Sequence, residues 1–185
     1  MFIARQLRNK NRAEYLLYMW QVEDIIRAHH CDIEALRNGY LSQFDLTAEE
    51  RKELEEWYEN LCVMLKEEGK TLHGHLQINK NVLESLSETH NKLLSSSQYP
   101  YYRELYYKVL PYIVELRAKK QEKTSGGNEK ELETCFEFLY GVMLLRFQKK
   151  EVFPETQNAA KDVSALLGQL SDYWKKDQEG QLFET

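Results

Sequence analysis

The sequence predicts an all-α protein, folded as a single helical bundle of about six or seven helices. Residues that break helices are rare, since 3 prolines and 8 glycines occur among 185 residues, about half the usual share of ~12%. Apolar residues recur at spacings of three and four along most of the chain, as on the buried face of a helix. β-Sandwiches and barrels need many turns, so both observations argue against them. Nothing in the composition divides the chain, and we expect one domain over residues 1–185.

The first three predicted helices follow from apolar patterning and from capping residues. The segment EYLLYMWQVEDIIRAHH is apolar on nearly all sides of its first two turns, which is typical of a central helix. Asp32 is a favourable N-cap for the second helix. Thr47 and Glu50 form a capping box at the start of the third, and Gly69 is placed to end it. The predicted ranges are about 12–29, 32–43 and 48–68.

The fourth and fifth predicted helices carry less regular patterns. Seven residues of the fourth alternate spacings of four and three, as in the seam of a coiled coil, and two of the seven are polar. The fifth starts at Pro100 and has an apolar stripe, but Pro111 lies inside it. We expect Pro111 to kink or break this helix, because its ring clashes with the carbonyl of Tyr107. The seam comprises Leu72, Leu76, Asn79, Leu83, Leu86, His90 and Leu93, and the predicted ranges are about 71–94 and 100–120.

Two further helices complete the predicted bundle. The sixth contains CFEFLYGVMLLRF, the most apolar run of the chain, and is expected to be the second central helix. The seventh follows Pro154 and again shows apolar spacings of four and three. The predicted helices are about 129–150 and 155–176, with a basic N-terminal arm at 1–11, a mobile loop at 124–128 and a frayed tail at 177–185.

Four helix-breaking residues fall inside these predicted helices: Gly74, Pro111, Gly141 and Gly168. An interior glycine costs up to ~1 kcal/mol relative to alanine, and a proline costs ~3 kcal/mol. We therefore expect these four positions to mark close helix packing, bends or a functional site.

The cysteines and the hydropathy pattern favour a soluble, cytoplasmic protein without contact to a membrane. Cys31, Cys62 and Cys135 are widely spaced and flanked by apolar residues, as buried thiols in a reducing compartment are. The N-terminus lacks the apolar core of a signal peptide. The most apolar run is shorter than the ~20 residues of a membrane span.

No motif for catalysis or for metal binding is found. His29 and His30 are one residue apart, and His73 and His75 are two apart, so neither pair shares one face of a helix. No HExxH, GxSxG, Walker or GxGxxG pattern occurs. We therefore nominate no catalytic residue, no metal ligand and no cofactor. An enzymatic activity is left open but not favoured.

Polar residues on apolar helix faces define a candidate pocket. Asn79 and His90 lie on the seam of the fourth predicted helix, and Glu23 borders the apolar stripe of the first. Arg27 is four residues after Glu23, a spacing that allows an ion pair within one helix. These four residues either satisfy one another inside the core or line a cavity for a small molecule.

The segment YPYYRELYYKVLPY contains six of the twelve tyrosines. One helical stripe cannot hold all of them, so Tyr101, Tyr107 or Tyr112 must point away from the core. Exposed tyrosines are typical of protein interfaces. These three residues are the candidate interface, and a homo-oligomer, for example a homodimer, is expected there. They can also serve merely as amphipathic cover for the bundle.

The charge is unevenly distributed along the chain. The first twelve residues carry four cations and no acid, whereas the whole chain has a net charge of −5 and a pI near 5.6. An acidic protein repels nucleic acid, so the net charge argues against nucleic-acid binding through the basic arm. The cations are Arg5, Arg8, Lys10 and Arg12.

One segment resembles a known family. Residues Glu14–Ala28, EYLLYMWQVEDIIRA, are similar to the N-terminal signature of an uncharacterised family of bacterial helical proteins of about this length, a domain of unknown function. The resemblance implies an all-α fold over nearly the whole chain. It implies no activity, cofactor or catalytic residue.

The combined observations favour a non-catalytic helical interaction or scaffold protein that self-associates or binds a protein partner. One alternative is a small-molecule-binding bundle, or an enzyme of unfamiliar type, with a pocket near Glu23, Asn79 and His90. A second alternative is a regulator that associates with nucleic acid through its basic arm.

Overall fold

The computed structural model describes residues 1–119 and 128–182, and within these ranges the chain is all-α, with no strand. This confirms the predicted fold class. The described ranges contain eight α-helices, one more than predicted, because residues of the basic arm form a helix. They are α1 (Phe2–Lys10), α2 (Arg12–Ala28), α3 (Ile33–Gly39), α4 (Ala48–Glu67), α5 (Gln77–Ser95), α6 (Pro100–Lys119), α7 (Asn128–Phe147) and α8 (Pro154–Gln178), with a 3₁₀ helix at Leu41–Gln43.

Three predicted helix boundaries are confirmed in atomic detail. The Asp32 side chain accepts hydrogen bonds from the backbone N–H groups of Glu34 and Ala35 at the start of α3. Thr47 and Glu50 form the full capping box of α4. Gly69 has a φ of 65°, the left-handed conformation that ends α4. Local capping chemistry therefore sets these boundaries.

Helix α5 begins at Gln77, six residues later than predicted. Leu72 is 84% exposed and takes no part in the seam. Gly74 has a φ of 84°, so it lies in a turn and not inside a helix. Three backbone groups of this segment have partners on α2: the carbonyls of Lys70 and Gly74 accept from Arg27, and the N–H of Leu76 donates to Glu23.

Helix α6 runs without a break through Pro111, so the expected break is wrong, whereas the alternative of a kink stays a prediction. Pro111 and Tyr107 both lie on the exposed side of the helix, where a carbonyl without its usual N–H donor can be hydrated.

Gly141 and Gly168 do not mark close helix packing, because a Cβ atom at either position would meet nothing within 4 Å.

The chain falls into two compact units. Unit 1 is Met1–Lys10 with Glu14–Val82, and unit 2 is Asn11–Ala13 with Leu83–Thr185. The prediction of a single domain stays a prediction. Residues 120–127, which include most of the predicted mobile loop, and 183–185, the end of the predicted tail, lie outside the described ranges.

Unit 1 has one apolar core, to which α1, α2, α3 and α4 contribute. In unit 2, α6, α7 and α8 pack against one another. The backbone N–H of Ala13 donates to Ser171 Oγ at 2.8 Å within unit 2. Among the described helices, none combines the length and the apolarity that crossing a bilayer requires.

Candidate functional site

Glu23 is a buried carboxylate in the middle of α2, with 1% of its surface exposed. Its Oε1 accepts hydrogen bonds from the backbone N–H of Leu76 at 2.9 Å and from Asn79 Nδ2 at 2.7 Å. Its Oε2 lies 2.6 Å from His75 Nδ1. Both oxygens therefore have partners, as a buried charge requires.

Arg27 adds a cation to this carboxylate, since its Nη2 lies 3.7 Å from Glu23 Oε2. The same guanidinium donates to the carbonyls of Lys70, at 3.0 Å, and Gly74. It also pairs with the half-exposed Asp24 at 2.8 Å. The structure thus brings together three of the four predicted pocket residues, Glu23, Arg27 and Asn79.

His75 completes this group and was not predicted. Its ring stacks on Trp20, with 4.0 Å between the ring centroids and 12° between the planes. The spacing of His73 and His75 indicates only that the two do not form a metal-binding pair on one helix face. No local signal in the sequence could have found it, because the predicted helix over about 71–94 placed His75 inside a helix. We call Glu23, Arg27, His75 and Asn79 the polar cluster.

The polar cluster fastens residues 70–76 and the start of α5 to α2. The Leu76 N–H has no acceptor within α5, so Glu23 acts as its cap from a different helix. Asn79 Oδ1 is buried and has no hydrogen-bond partner. Within residues 1–119 and 128–182, no group of three or more His, Cys, Asp or Glu side chains could hold a metal ion. The geometry therefore indicates a structural role, in which the polar cluster holds this segment against α2.

His90, the fourth predicted pocket residue, lies in unit 2 with other partners. Its Nδ1 is 2.5 Å from the hydroxyl of Tyr102, and its ring meets that of Tyr106 edge to face. It is fully buried, and burial lowers the pKa of His90 to about 4. Its Nε2 has no hydrogen-bond partner. His90 is therefore a neutral core histidine near pH 7.

Unit 1 also contains an apolar groove that the sequence analysis did not identify. Its volume is about 390 Å³. Three of its apolar side chains are unusually exposed, Phe2 at 39%, Ile3 at 53% and Phe44 at 39%. We call it the aromatic groove. Its lining comprises Met1, Phe2, Ile3, Tyr18, Gln21, Tyr40, Phe44, Leu46, Leu54 and Tyr58.

The tyrosines of the aromatic groove supply neutral hydroxyls to an otherwise apolar recess. Burial, with the neighbouring Tyr40, raises the pKa of Tyr18 to about 12. Burial and the same neighbour also raise the pKa of Tyr58 well above its ordinary value. None of the side chains that line the groove is an acid, a lysine, an arginine or a histidine. The groove can therefore bind apolar groups and offer hydrogen bonds.

The candidate interface residues lie on α6, in unit 2. Tyr101 is 77% exposed and Tyr107 is 61% exposed. Tyr112 is half-buried and lines a smaller cleft of about 220 Å³ with Phe138 and Ala159. The role of these tyrosines in an interface stays a prediction.

Comparison with known proteins matches a family model to nearly the whole chain. The family model described as Domain of unknown function (DUF4924) matches residues 1–181. No curated protein and no solved structure matches the chain. The matched range includes the whole polar cluster and the whole aromatic groove. The chain belongs to this family of domains of unknown function, as its segment EYLLYMWQVEDIIRA predicts.

Proposed function

We propose that this chain is a non-catalytic interaction module that holds apolar side chains of a protein partner in the aromatic groove. The observation that carries the proposal is the exposure of Phe2, Ile3 and Phe44 around a recess of about 390 Å³. Concave apolar sites of roughly 300–1,000 Å³ are typical of ligand binding. Clustered aromatic residues favour protein partners, because they bury a large area at a low entropic cost.

The test uses N-phenyl-1-naphthylamine, a neutral apolar dye that fluoresces when it leaves water. We expect saturable binding, weakened at least tenfold by Phe44→Ala combined with Ile3→Ala. Leu72→Ala is the matched control, because Leu72 is an exposed apolar residue of unit 1 that does not line the groove. Equal binding by all three proteins would contradict the proposal.

A second experiment identifies the class of ligand. A photo-crosslinking amino acid at position 44 should label a protein partner in cells, whereas the same group at position 72 should not. The labelling should also disappear when Ile3→Ala is added. A small molecule found by native mass spectrometry on the purified chain, displaced by the dye, would favour the small-molecule alternative instead.

Self-association through α6 is a second candidate function. It is supported by the exposure of Tyr107 at 61% and Val114 at 60%, seven residues apart and therefore on one face of the helix. Sedimentation velocity should then show a concentration-dependent dimer that Tyr107→Glu with Val114→Glu abolishes. A monomer at every concentration would remove this candidate.

The proposed location of this module is the cytoplasm. Support comes from Cys31, Cys62 and Cys135, which are all buried and free. Cell fractionation with an antibody to the chain tests this location.

A further inference from the structure

We propose that the occupant of the aromatic groove is an acidic amphipathic segment of a protein partner, with its apolar side chains in the groove and its carboxylates on α1. This inference rests on the proposed function and names the chemistry of the partner. Helix α1 is the element that joins both parts of the site, because it lines the groove and also carries a cluster of cations.

The charge of α1 is the first argument. The helix FIARQLRNK contains three cations and no acid, in a chain whose net charge is −5. Arg5, Arg8 and Lys10 are all exposed. Within residues 1–119 and 128–182, none of the three has a carboxylate partner. These cations are therefore free to meet carboxylates from outside the chain.

The position of these cations is the second argument. Phe2 and Ile3, in the first turn of α1, line the groove. The Arg5 guanidinium lies 3.8 Å from Sδ of Met1, which also lines it. Arg8 follows three residues later on the same side of the helix, about 4.5 Å further along the axis. A segment anchored in the groove and continuing along α1 would therefore meet two arginines in succession.

A second wall of the groove, on α4, carries charge of both signs. Leu54 and Tyr58 of α4 line the groove. The first two turns of α4 hold the exposed carboxylates of Glu49, Glu50 and Glu53 together with the cations of Arg51 and Lys52. Helix α1, in contrast, holds three cations and no acid. The carboxylates of a partner are therefore attracted more strongly to α1 than to α4.

A concave site favours a protein segment over a bilayer. A membrane surface takes up apolar residues that protrude, whereas Tyr18 and Tyr58 lie deep enough in the recess for burial to raise the pKa of each hydroxyl. Side chains that protrude from an amphipathic helix fit such a recess. Binding to an anionic membrane is the alternative to a protein segment, and the experiment below distinguishes the two.

Two matched pairs of probes test the inference. The dyes are N-phenyl-1-naphthylamine and 8-anilinonaphthalene-1-sulfonate, which share one apolar body and differ by a sulfonate. The peptides are two helical 14-residue segments with identical leucine anchors, flanked by glutamates in one and by lysines in the other. We expect the sulfonated dye to bind at least fivefold more tightly than the neutral one, and the glutamate peptide at least tenfold more tightly than the lysine peptide. Both preferences should shrink in 0.5 M salt.

Arg5→Gln with Arg8→Gln should remove both preferences, so that the two dyes bind with equal affinity and the two peptides bind with equal affinity. Lys149→Gln with Lys150→Gln is the control, because it removes two exposed cations from unit 2. Neutral-dye binding without any preference for the anionic probes would overturn this inference alone. If the parent chain binds neither dye, the proposed function is overturned as well. Tight binding to vesicles that contain anionic lipid, without binding of the glutamate peptide, would show that the occupant of the groove is a membrane surface and not a protein segment.

Discussion

At the residue scale, Glu23 shows how a buried charge can hold a fold together. Its carboxylate accepts from three groups on residues 75–79, and it lies near the guanidinium of Arg27. Replacing Glu23 with glutamine removes the charge and leaves an amide N–H facing Arg27. Since losing one partner of a buried ion pair costs about 3–5 kcal/mol, we expect Glu23→Gln to lower the free energy of unfolding by about 3 kcal/mol in urea denaturation.

Asp24→Asn is the matched control for this prediction. Asp24 is adjacent in sequence and also pairs with Arg27, but its side chain is 47% exposed. Exposed pairs contribute little, so the loss should stay below about 1 kcal/mol. Equal losses in the two variants would show that Glu23 does not fasten residues 70–76.

His90 gives a prediction about pH. Burial holds its pKa at about 4 in the folded chain, whereas an unfolded histidine has a pKa of about 6.5. The unfolded state therefore takes up the proton first, and stability falls as the pH drops from about 6.5 towards 4. Between pH 7.5 and pH 5 this group alone should cost about 2 kcal/mol.

The measurement is hydrogen exchange of the amides of α6, which contains Tyr102, the partner of His90. The loss of protection on acidification should be smaller in His90→Gln, even though that variant is less stable at pH 7.5. The NMR signal of the His90 ring should show a neutral imidazole at pH 5. A charged ring at pH 5 would contradict the prediction.

The sequence identified three members of the polar cluster but not the fourth. Glu23 and Arg27 are four residues apart on one helix, and Asn79 breaks an apolar seam, so each has a local signal. His75 stacks on Trp20 only because residues 70–76 turn back over α2. That path depends on contacts between segments far apart in the chain, which local patterns do not encode.

At the element scale, two glycines with different backbone conformations give opposite predictions. Gly69 ends α4 with a φ of 65°, a conformation that strains any residue with a Cβ. Gly168 lies inside α8, where a Cβ would meet nothing within 4 Å. We expect Gly69→Ala to destabilise the chain by about 1 kcal/mol and Gly168→Ala to stabilise it by about 0.5–1 kcal/mol.

Thermal denaturation of the two alanine variants beside the parent chain measures both effects. A melting temperature that falls for Gly168→Ala would mean that this glycine has a packing role after all. Gly69→Ala is tested in the same series, and an unchanged melting temperature would show that the left-handed turn is not needed to end α4.

Helix boundaries set by capping chemistry were predictable, whereas those set by tertiary contacts were not. Asp32, Thr47 and Gly69 act on backbone groups within a few residues, so their effect can be read locally. The start of α5 depends on Glu23, more than fifty residues earlier. The apolar spacing alone placed Leu72 in a helix, because that spacing cannot detect donors from another segment.

At the scale of the whole molecule, the all-α class was predictable, but the aromatic groove was not. The groove draws its lining from α1, α2, α4 and the segment around Phe44. Composition and periodicity do not predict that any two of these segments lie next to each other in the fold. The charge of α1, by contrast, is visible in the sequence, and it matters for function because the structure places it next to the groove.

The same charge gives a prediction about nucleic acid. Three exposed cations on α1 would give a slope of about −2.7 in log affinity against log salt, so affinity for DNA should fall about 20-fold between 50 and 150 mM salt. The net charge of −5 opposes binding further. We therefore expect weak binding at 50 mM salt and none at 150 mM, measured by fluorescence anisotropy with a labelled 20-base-pair duplex. Arg5→Gln with Arg8→Gln should abolish the residual signal. Affinity that persists at 150 mM but is lost in Arg5→Gln with Arg8→Gln would instead assign α1 to nucleic acid, with further contacts beyond these three cations.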